Sequence, residues 1–280
     1  MNAGSRVRPV LVPWIVLGNF VRKIYVQRDL IRNFVVRDLR ARYIGSFMGF
    51  FWSVIHPIVL ITSYAFVFMV IFNQKAPPDC GTSSFPLFLF CGILPWIFFQ
   101  DSLQRSSTII IDNANLVTKT IFPTEILPLT VLCAGLVNHL IGFAILIGII
   151  LYVLGTVSLY VFYIPVYIVI LMLFTLGLSW FLSSLNVFIR DISQVLSVFL
   201  TFWFWFTPIF YTGNRFPPEY MFLVHWNPLA HIVAGYRDCL LRMTAPDLRV
   251  LAWLAAASLG IFVAGGLFFR YIKREFVDVL

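Results

Sequence analysis

The sequence predicts an all-α integral membrane protein. It has six transmembrane helices, an N-terminal amphipathic interface helix, and an outer re-entrant helical hairpin between spans five and six. Three observations carry that prediction. Sixty per cent of the 280 residues are hydrophobic and 11% are charged, where a soluble domain would carry about a quarter charged. Several uncharged apolar runs reach the roughly 20 residues that a bilayer-spanning helix needs. The Lys and Arg residues, which give a net charge of +8, gather at the flanks of those runs, nine of the twenty lying before residue 43. Basic flanks set topology and meet anionic lipid headgroups. Nothing in the chain resembles a nucleic-acid reader, so the bilayer and not nucleic acid is the expected partner of the charge.

Residues 1–46 read as a cytoplasmic N-terminal segment. Its stretch 10–20 is apolar but short, carries Pro13, and ends at Arg22-Lys23 without a small-residue cleavage pattern. That suits an interfacial segment better than a signal peptide or a span. From Arg28 to Tyr43, Leu30, Ile31, Phe34, Val35 and Leu39 recur at steps of three and four, and Arg28, Arg32, Arg37 and Arg40 fill much of the remainder. This is the pattern of a basic amphipathic helix lying in the interface or on a partner. A small-residue turn at Gly45-Ser46 then hands over to an aromatic run.

Residues 47–270 hold the spans. The first is Phe47–Phe72, with a kink expected at His56-Pro57; a polar loop, 73–84, follows. The second runs from Phe85 to about Arg105. Asp101 and Arg105, one turn apart, read as a pair that neutralises itself, because a lone charge at mid-membrane costs roughly 2.5–3.5 kcal/mol on insertion scales. Ser106 to Pro123 reads as a short cytoplasmic helix. Between Glu125 and Arg190 lie 64 residues with no Asp, Glu, Lys or Arg. Lys119 and Arg190 belong on one side, which demands an even number of crossings: 126–154 and 160–187, joined at Gly155–Ser158. Ile192–Tyr211 is the fifth span. In 212–249, the gate region, the apolar stretch Tyr220–Tyr236 is broken by His225, Asn227, Pro228 and His231, which suits a re-entrant or interfacial hairpin better than a crossing. Val250–Phe269 is the sixth span and 271–280 a cytoplasmic tail. With both termini inside, fifteen Lys and Arg fall on the inner side and five on the outer.

The chain lacks the motifs of a self-powered machine. None of its four Lys follows a Gly, so there is no phosphate loop for ATP. Neither His-Glu-x-x-His nor Gly-x-Ser-x-Gly occurs, and the four His are scattered, which argues against a metal cluster. The four Cys show no Cys-x-x-Cys spacing; Cys80 and Cys239 share the outer side, which leaves a disulfide between them open. His139, beside Asn138 in an uncharged span, reads as polar pore lining or as a hydrogen-bonded packing residue. The spans are nearly free of the ionisable groups that ion-coupled transporters place at mid-membrane, so the energy source is expected outside this polypeptide. Inner-face segments able to receive a push are 28–43, 106–123 and the Arg190-Asp191 turn.

Three blocks carry a family resemblance. They are Arg37-Asp38-Leu39-x-x-Arg42-Tyr43-x-Gly45-Ser46-x-x-Gly49-x-x-Trp52, ending in Pro57; Asn113-Ala114-Asn115-Leu116-Val117 with Phe122-Pro123-x-Glu125-Ile126-Leu127-Pro128; and Phe188-x-Arg190-Asp191-Ile192, leading to Pro208-Ile209-Phe210-Tyr211 and Asn227-Pro228-Leu229. In this order and spacing the chain resembles the permease subunit of a type-2 ABC exporter, in the branch that exports lipid-linked polysaccharide such as O-antigen, capsule or teichoic acid. It departs from the family pattern at Ile44, His56 and Thr124.

The resemblance implies a homodimer in the bacterial cytoplasmic (inner) membrane. Two copies of a soluble ABC ATPase would bind it and hold the ATP and Mg, with no cofactor in this chain. It implies ATPase coupling through Arg37, Asp38, Arg40, Arg42, Asn113, Asn115, Lys119, Phe122, Pro123, Glu125, Arg190 and Asp191. It also gives Tyr220–Tyr236 a role as outer gate helices. Candidate residues of the substrate pathway and gate are Phe202, Trp203, Phe204, Trp205, Phe206, Tyr211, His225, Trp226, Asn227 and Pro228. Phe202–Phe206 admits two readings, a track on which sugar faces slide and an interfacial aromatic belt. The competing functions are an efflux permease for a drug or small lipid and, from another class, an ion-coupled flippase or integral membrane enzyme.

Overall fold

The computed structural model describes residues 25–43, 47–119, 122–213 and 216–280, and all regular structure among them is helical. The expectations for 10–20 and for the Gly45-Ser46 turn lie outside the described residues.

The amphipathic helix α1 is Arg28–Tyr43. Its apolar stripe points inward, with Ile31 buried and Leu30, Phe34 and Val35 packed against the core. Among the described residues, five helical stretches are long and apolar enough to cross a membrane. The first, α2 (Trp52–Phe66), follows a 3₁₀ turn at Gly49–Phe51, takes Pro57 within its second turn, and passes into a π turn over Val67–Ile71. The second, α3 (Phe85–Asp112), runs seven residues beyond the expected end. Ser106–Asp112 is therefore the last two turns of α3 and not part of a separate helix. Ser106, Ser107 and Ile110 are buried there, so continued packing sustains the helix past the charged residues. Only α4 (Ala114–Lys119) stands apart.

Helix α5 (Ile126–Leu154) ends on Gly155 in the left-handed region (φ 74°), the conformation glycine adopts at helix ends. A 3₁₀ turn (Leu159–Tyr163), capped by the Ser158 hydroxyl, leads into α6 (Ile164–Phe188). Helix α7 (Ile192–Phe206) is apolar but only 15 residues long. It stops at Thr207, whose extended backbone (ψ 126°) is what a following proline imposes. The gate region holds two short helices, α8 (Met221–His225) and α9 (Pro228–Arg237), and a π turn over Asp238–Arg242. The last long helix is α10 (Leu248–Ile272), followed by α11 (Phe276–Val279).

Helix α3 is the hub, enclosed by α2, α5, α6, α7 and α9. Helices α6 and α10 approach so closely that a Cβ on Gly265 would sit 2.0 Å from the Gly177 carbonyl oxygen. Small residues at such a crossing let backbones touch where lipid offers no hydrophobic drive to association. By contrast, α2 buries only Ile61 and Ala65, leaving Trp52, Ile58, Val59 and Phe66 uncovered.

Both ends of the described chain meet at one end of the bundle. Phe34 of α1 packs on Phe122 at 5.4 Å. Lys273 pairs with Glu125 at 3.2 Å, and Phe276 is buried beside Phe188 and Phe269. We call this the charged end; the opposite one, which holds α8 and α9, is the hairpin end.

Candidate functional site

At the charged end, the amphipathic pattern of α1 sets Asp38 and Arg42 one turn apart on its inward side, facing Asp101 and Arg105 on α3. Arg42 Nη2 donates to Asp101 Oδ2 at 3.0 Å and its Nε lies 3.6 Å from Asp38 Oδ2. Arg105 Nη2 donates to Asp38 Oδ1, and Arg105 Nη1 lies 3.7 Å from Asp101 Oδ2. The four charges alternate in sign around a ring, so each carboxylate sees two guanidinium groups. Burial pushes the Asp38 carboxyl above the ordinary carboxylate range, and Arg42 and Arg37 hold it back in part.

This ring extends one expectation. Asp101 and Arg105 are within ion-pair reach of each other, but each makes its shorter contact with α1. The sequence exposes only the i, i+4 spacing; the cross-helix partners become visible once α1 folds back over α3. Asp101 and Arg105 thus join Asp38 and Arg42 as residues through which α1 grips the bundle.

Around the ring, Arg37 Nη2 donates to Asn113 Oδ1 at 3.2 Å, while Asn113 Nδ2 donates to the Ile109 carbonyl at 2.8 Å. Asn113 thereby links α1 to the break between α3 and α4. Phe122 and Pro123 are half-buried beside α1. Glu125 gives its carboxylate to Lys273 and its backbone carbonyl to the Trp180 indole N–H at 3.0 Å. Arg40, Asn115 and Lys119 are exposed, as are Arg190 and Asp191 in the α6–α7 turn. The candidate coupling residues therefore fall into two groups at one end of the molecule: an interlocked set (Arg37, Asp38, Arg42, Asn113, Phe122, Pro123, Glu125) and an uncovered one.

At the hairpin end, Asn227 is the joint. Its Oδ1 accepts from Trp203 Nε1 at 3.0 Å and from the Leu229 backbone N–H at 3.1 Å, which caps α9. Its Nδ2 donates to Thr207 Oγ1 at 3.1 Å. One side chain thus ties the end of α7 to the start of α9. The aromatic run splits: Trp203 and Phe204 turn inward against Phe99, Phe174, Trp96 and Phe210, while Phe202, Trp205 and Phe206 are exposed. Tyr211 donates its hydroxyl to the Trp205 carbonyl. Pro228 opens α9; Trp226 is exposed and packs edge-on to Trp253, and His231, beside Trp253, bonds the His225 carbonyl at 2.8 Å.

The sequence reading missed Arg237 altogether, counting it among outer charges. It is buried, its guanidinium 3.6 Å from the centre of the Phe88 ring. It donates to the carbonyls of Pro208 (2.7 Å), Ile209 (2.5 Å) and Phe88 (3.3 Å). Gln74 Nε2 donates to the next carbonyl, Phe210, at 2.8 Å. Three consecutive carbonyls released where α7 stops are thus satisfied by side chains, the condition for irregular backbone away from water. Gly92 makes the space: a Cβ there would lie 2.6 Å from Arg237 Nη2.

His139 is buried with Nε2 2.9 Å from the Tyr236 hydroxyl, the hydrogen-bonded packing arrangement. Cys80 and Cys239 are both buried free thiols, and Cys80 Sγ lies 3.1 Å from the Thr82 carbonyl.

Comparison with known proteins adds the family. A family model described as "ABC-2 type transporter" matches residues 29–241. An O-antigen export system permease protein RfbA from Myxococcus xanthus is 32% identical over 265 residues, covering 92% of this chain and 98% of that protein. A Klebsiella pneumoniae protein of the same name is 31% identical over 255 residues, covering 90% and 95%. The polysialic acid transport protein KpsM of Escherichia coli is 23% identical over 222 residues, covering 77% and 83%.

Proposed function

The chain belongs to the ABC-2 type transporter family, and on that premise we propose that it is the permease of an ATP-driven exporter. Its cargo is lipid-linked polysaccharide of the O-antigen, capsule or teichoic-acid type, moved across the cytoplasmic membrane by the power of a separate ATPase. The observation that carries this reading is the end-to-end match with relatives named for O-antigen export, one covered over 98% of its length.

In this reading the chain crosses the membrane six times with both termini in the cytoplasm. Helix α7, at about 22 Å, is too short for a hydrocarbon core of about 30 Å. The irregular residues 207–210, with the carbonyls of Pro208, Ile209 and Phe210 capped by Arg237 and Gln74, continue the pass beyond the helix. Helices α8 and α9 form the re-entrant gate. A second copy covers the open face of α2 and the exposed edge of α7, and the path for the glycan runs between the two copies. Two ATPase subunits dock on α4, the exposed α6–α7 turn and the outer side of α1. They hold ATP and Mg, and their closure moves α1, which drags α3 through the charge ring. This chain performs no hydrolysis itself.

The test is reconstitution with and without a partner ABC ATPase subunit. Lipid-linked glycan should enter vesicles only when both subunits and ATP are present, and cells lacking this chain should accumulate the glycan inside. Export by the chain alone would establish the ion-coupled alternative. Movement of small lipids but not of glycan would establish the efflux alternative.

A further inference from the structure

The segment after α10 folds back instead of trailing away. It lies beyond residue 241, where the family match ends, and its sequence marks it only as a cytoplasmic tail. A 3₁₀ turn over Lys273–Glu275 bends the chain and lays α11 against the charged end of the bundle. Phe276 is fully buried there. Its ring lies 5.6 Å from that of Phe269 on α10 and 6.3 Å from that of Phe188, the last residue of α6. Val277, Asp278 and Val279 are exposed, while Leu280 packs on the core. One buried ring and one ion pair, Lys273 Nζ to Glu125 Oε2 at 3.2 Å, thus fix where the segment lies.

The segment sits behind the surface on which the ATPase is proposed to push. Helix α11 touches both α4 and α6. At six residues, α4 is well short of the roughly 12–15 at which an isolated helix becomes even marginal. Of its residues only Val117 is buried, so neighbours must hold it in place. Arg190 and Asp191, exposed in the α6–α7 turn, follow closely on Phe188, which rests on Phe276. Glu125 takes Lys273 on its carboxylate and the Trp180 indole of α6 on its carbonyl. The segment is also continuous with α10, whose backbone meets that of α6 at Gly265 and Gly177. Two surface segments remote in sequence are thereby tied to each other and to the tightly crossed α6–α10 pair.

We propose that residues 273–280 are a coupling brace, with Lys273 and Phe276 as its positioning residues. The brace holds α4 and the α6–α7 turn at one spacing, so that closure of the ATPase pair moves α6 and α10 together instead of displacing α4 alone. The coupling role rests on the export reading; the bracing is a property of this chain by itself.

Two measurements test the two parts. In vesicles holding the chain with a partner ABC ATPase subunit, Phe276→Ala and Lys273→Ala should each lower the glycan exported per ATP hydrolysed about fivefold. The ATPase should still co-purify in wild-type proportion, and Lys273→Arg, which keeps the ion pair, should keep the wild-type ratio. In the chain alone, nitroxide labels at Asn115→Cys and Arg190→Cys, both exposed positions, should give one narrow distance distribution by double electron–electron resonance. Phe276→Ala should widen it about twofold, as local release of a packed element would; if that variant does not fold, Lys273→Ala carries both measurements. An export-to-hydrolysis ratio unmoved while folded complex is lost would show a merely structural segment and overturn the proposal, as would a distance distribution of unchanged width. Glycan export by the wild-type chain without ATPase would instead overturn the export reading and the coupling role with it, and the distance measurement would still decide the bracing.

Discussion

Arg237 and the charge ring share a physical problem, ionised groups far from bulk water, and solve it in different ways. Among the described residues Arg237 makes no ion pair with a carboxylate; carbonyls and the Phe88 ring stand in for hydration. Removing it relieves the cost of burying a cation but orphans carbonyls, each worth about 1–3 kcal/mol when buried and unpaired. Arg237→Leu should therefore lose about 2–4 kcal/mol of stability, read as a lowered melting temperature in detergent. Arg242→Leu, at an exposed pair with Asp238, should lose less than about 1 kcal/mol. In the ring, Arg42→Ala and Asp101→Ala should not add: the double variant should be about as impaired in ATPase-coupled export as Arg42→Ala alone. Asp38 has a pH signature. Because its carboxyl is raised in the fold, the native state binds more protons than the unfolded chain above the ordinary carboxylate value. Its contribution is then full below about pH 4 and is lost as pH rises toward the raised value. Asp38→Asn should erase that downward slope in a stability–pH profile.

At the scale of elements, the α7–α9 joint separates two tryptophans that the sequence treats alike. Trp203 is packed among Phe99, Phe174 and Phe199 and bonds Asn227; Trp203→Ala should cost about 3–5 kcal/mol as a core truncation and reduce protein abundance. Trp205 is 51% exposed, so Trp205→Ala should leave abundance unchanged and slow export of long chains more than short ones. Equal effects on both measures at both positions would leave only an anchoring belt. The same joint marks what a sequence discloses and what it withholds. Helices α1 and α5 were legible because a three-and-four periodicity and a 64-residue uncharged stretch are local signals. The stop of α7 was half legible: Pro208 announces it, but the helix ends five residues before the expected span does. Arg237 was illegible, since a cation in a polar-looking loop has the same local signature whether it faces water or folds onto carbonyls 28 and 29 positions away. The Asp38–Arg105 and Arg42–Asp101 pairings were hidden for the same reason, as partners 67 and 59 residues apart leave no spacing to read.

For the whole molecule, the number of crossings is tied to where the two ends of the chain sit, and the packing constrains that choice. Lys273 is held by Glu125, Phe276 is buried, and α1 is fastened to α3, so residues 25–43 and 273–280 share the charged end. A chain whose ends share one end of the bundle traverses it an even number of times, and five long helices alone cannot satisfy that. In the six-crossing reading proposed above, helix α7 makes the sixth pass: Gln104 on α3 donates to the Ser193 carbonyl at its beginning, and Arg237 and Gln74 hold the residues after its finish at the hairpin end. Single cysteines placed at exposed positions test this in intact cells. Thr156→Cys and Glu219→Cys should react with a membrane-impermeant maleimide added outside; Asn115→Cys and Val279→Cys should react only after permeabilisation. The native thiols add little background, because Cys80, Cys91 and Cys239 are buried and Cys133 is half-buried. If α7 did not cross, Glu219 would label with Asn115, and α10 would carry Val279 to the outer side. That outcome would require the Lys273–Glu125 bond to be broken in the membrane, so external labelling at Val279 would overturn both the topology and the packing from which it follows.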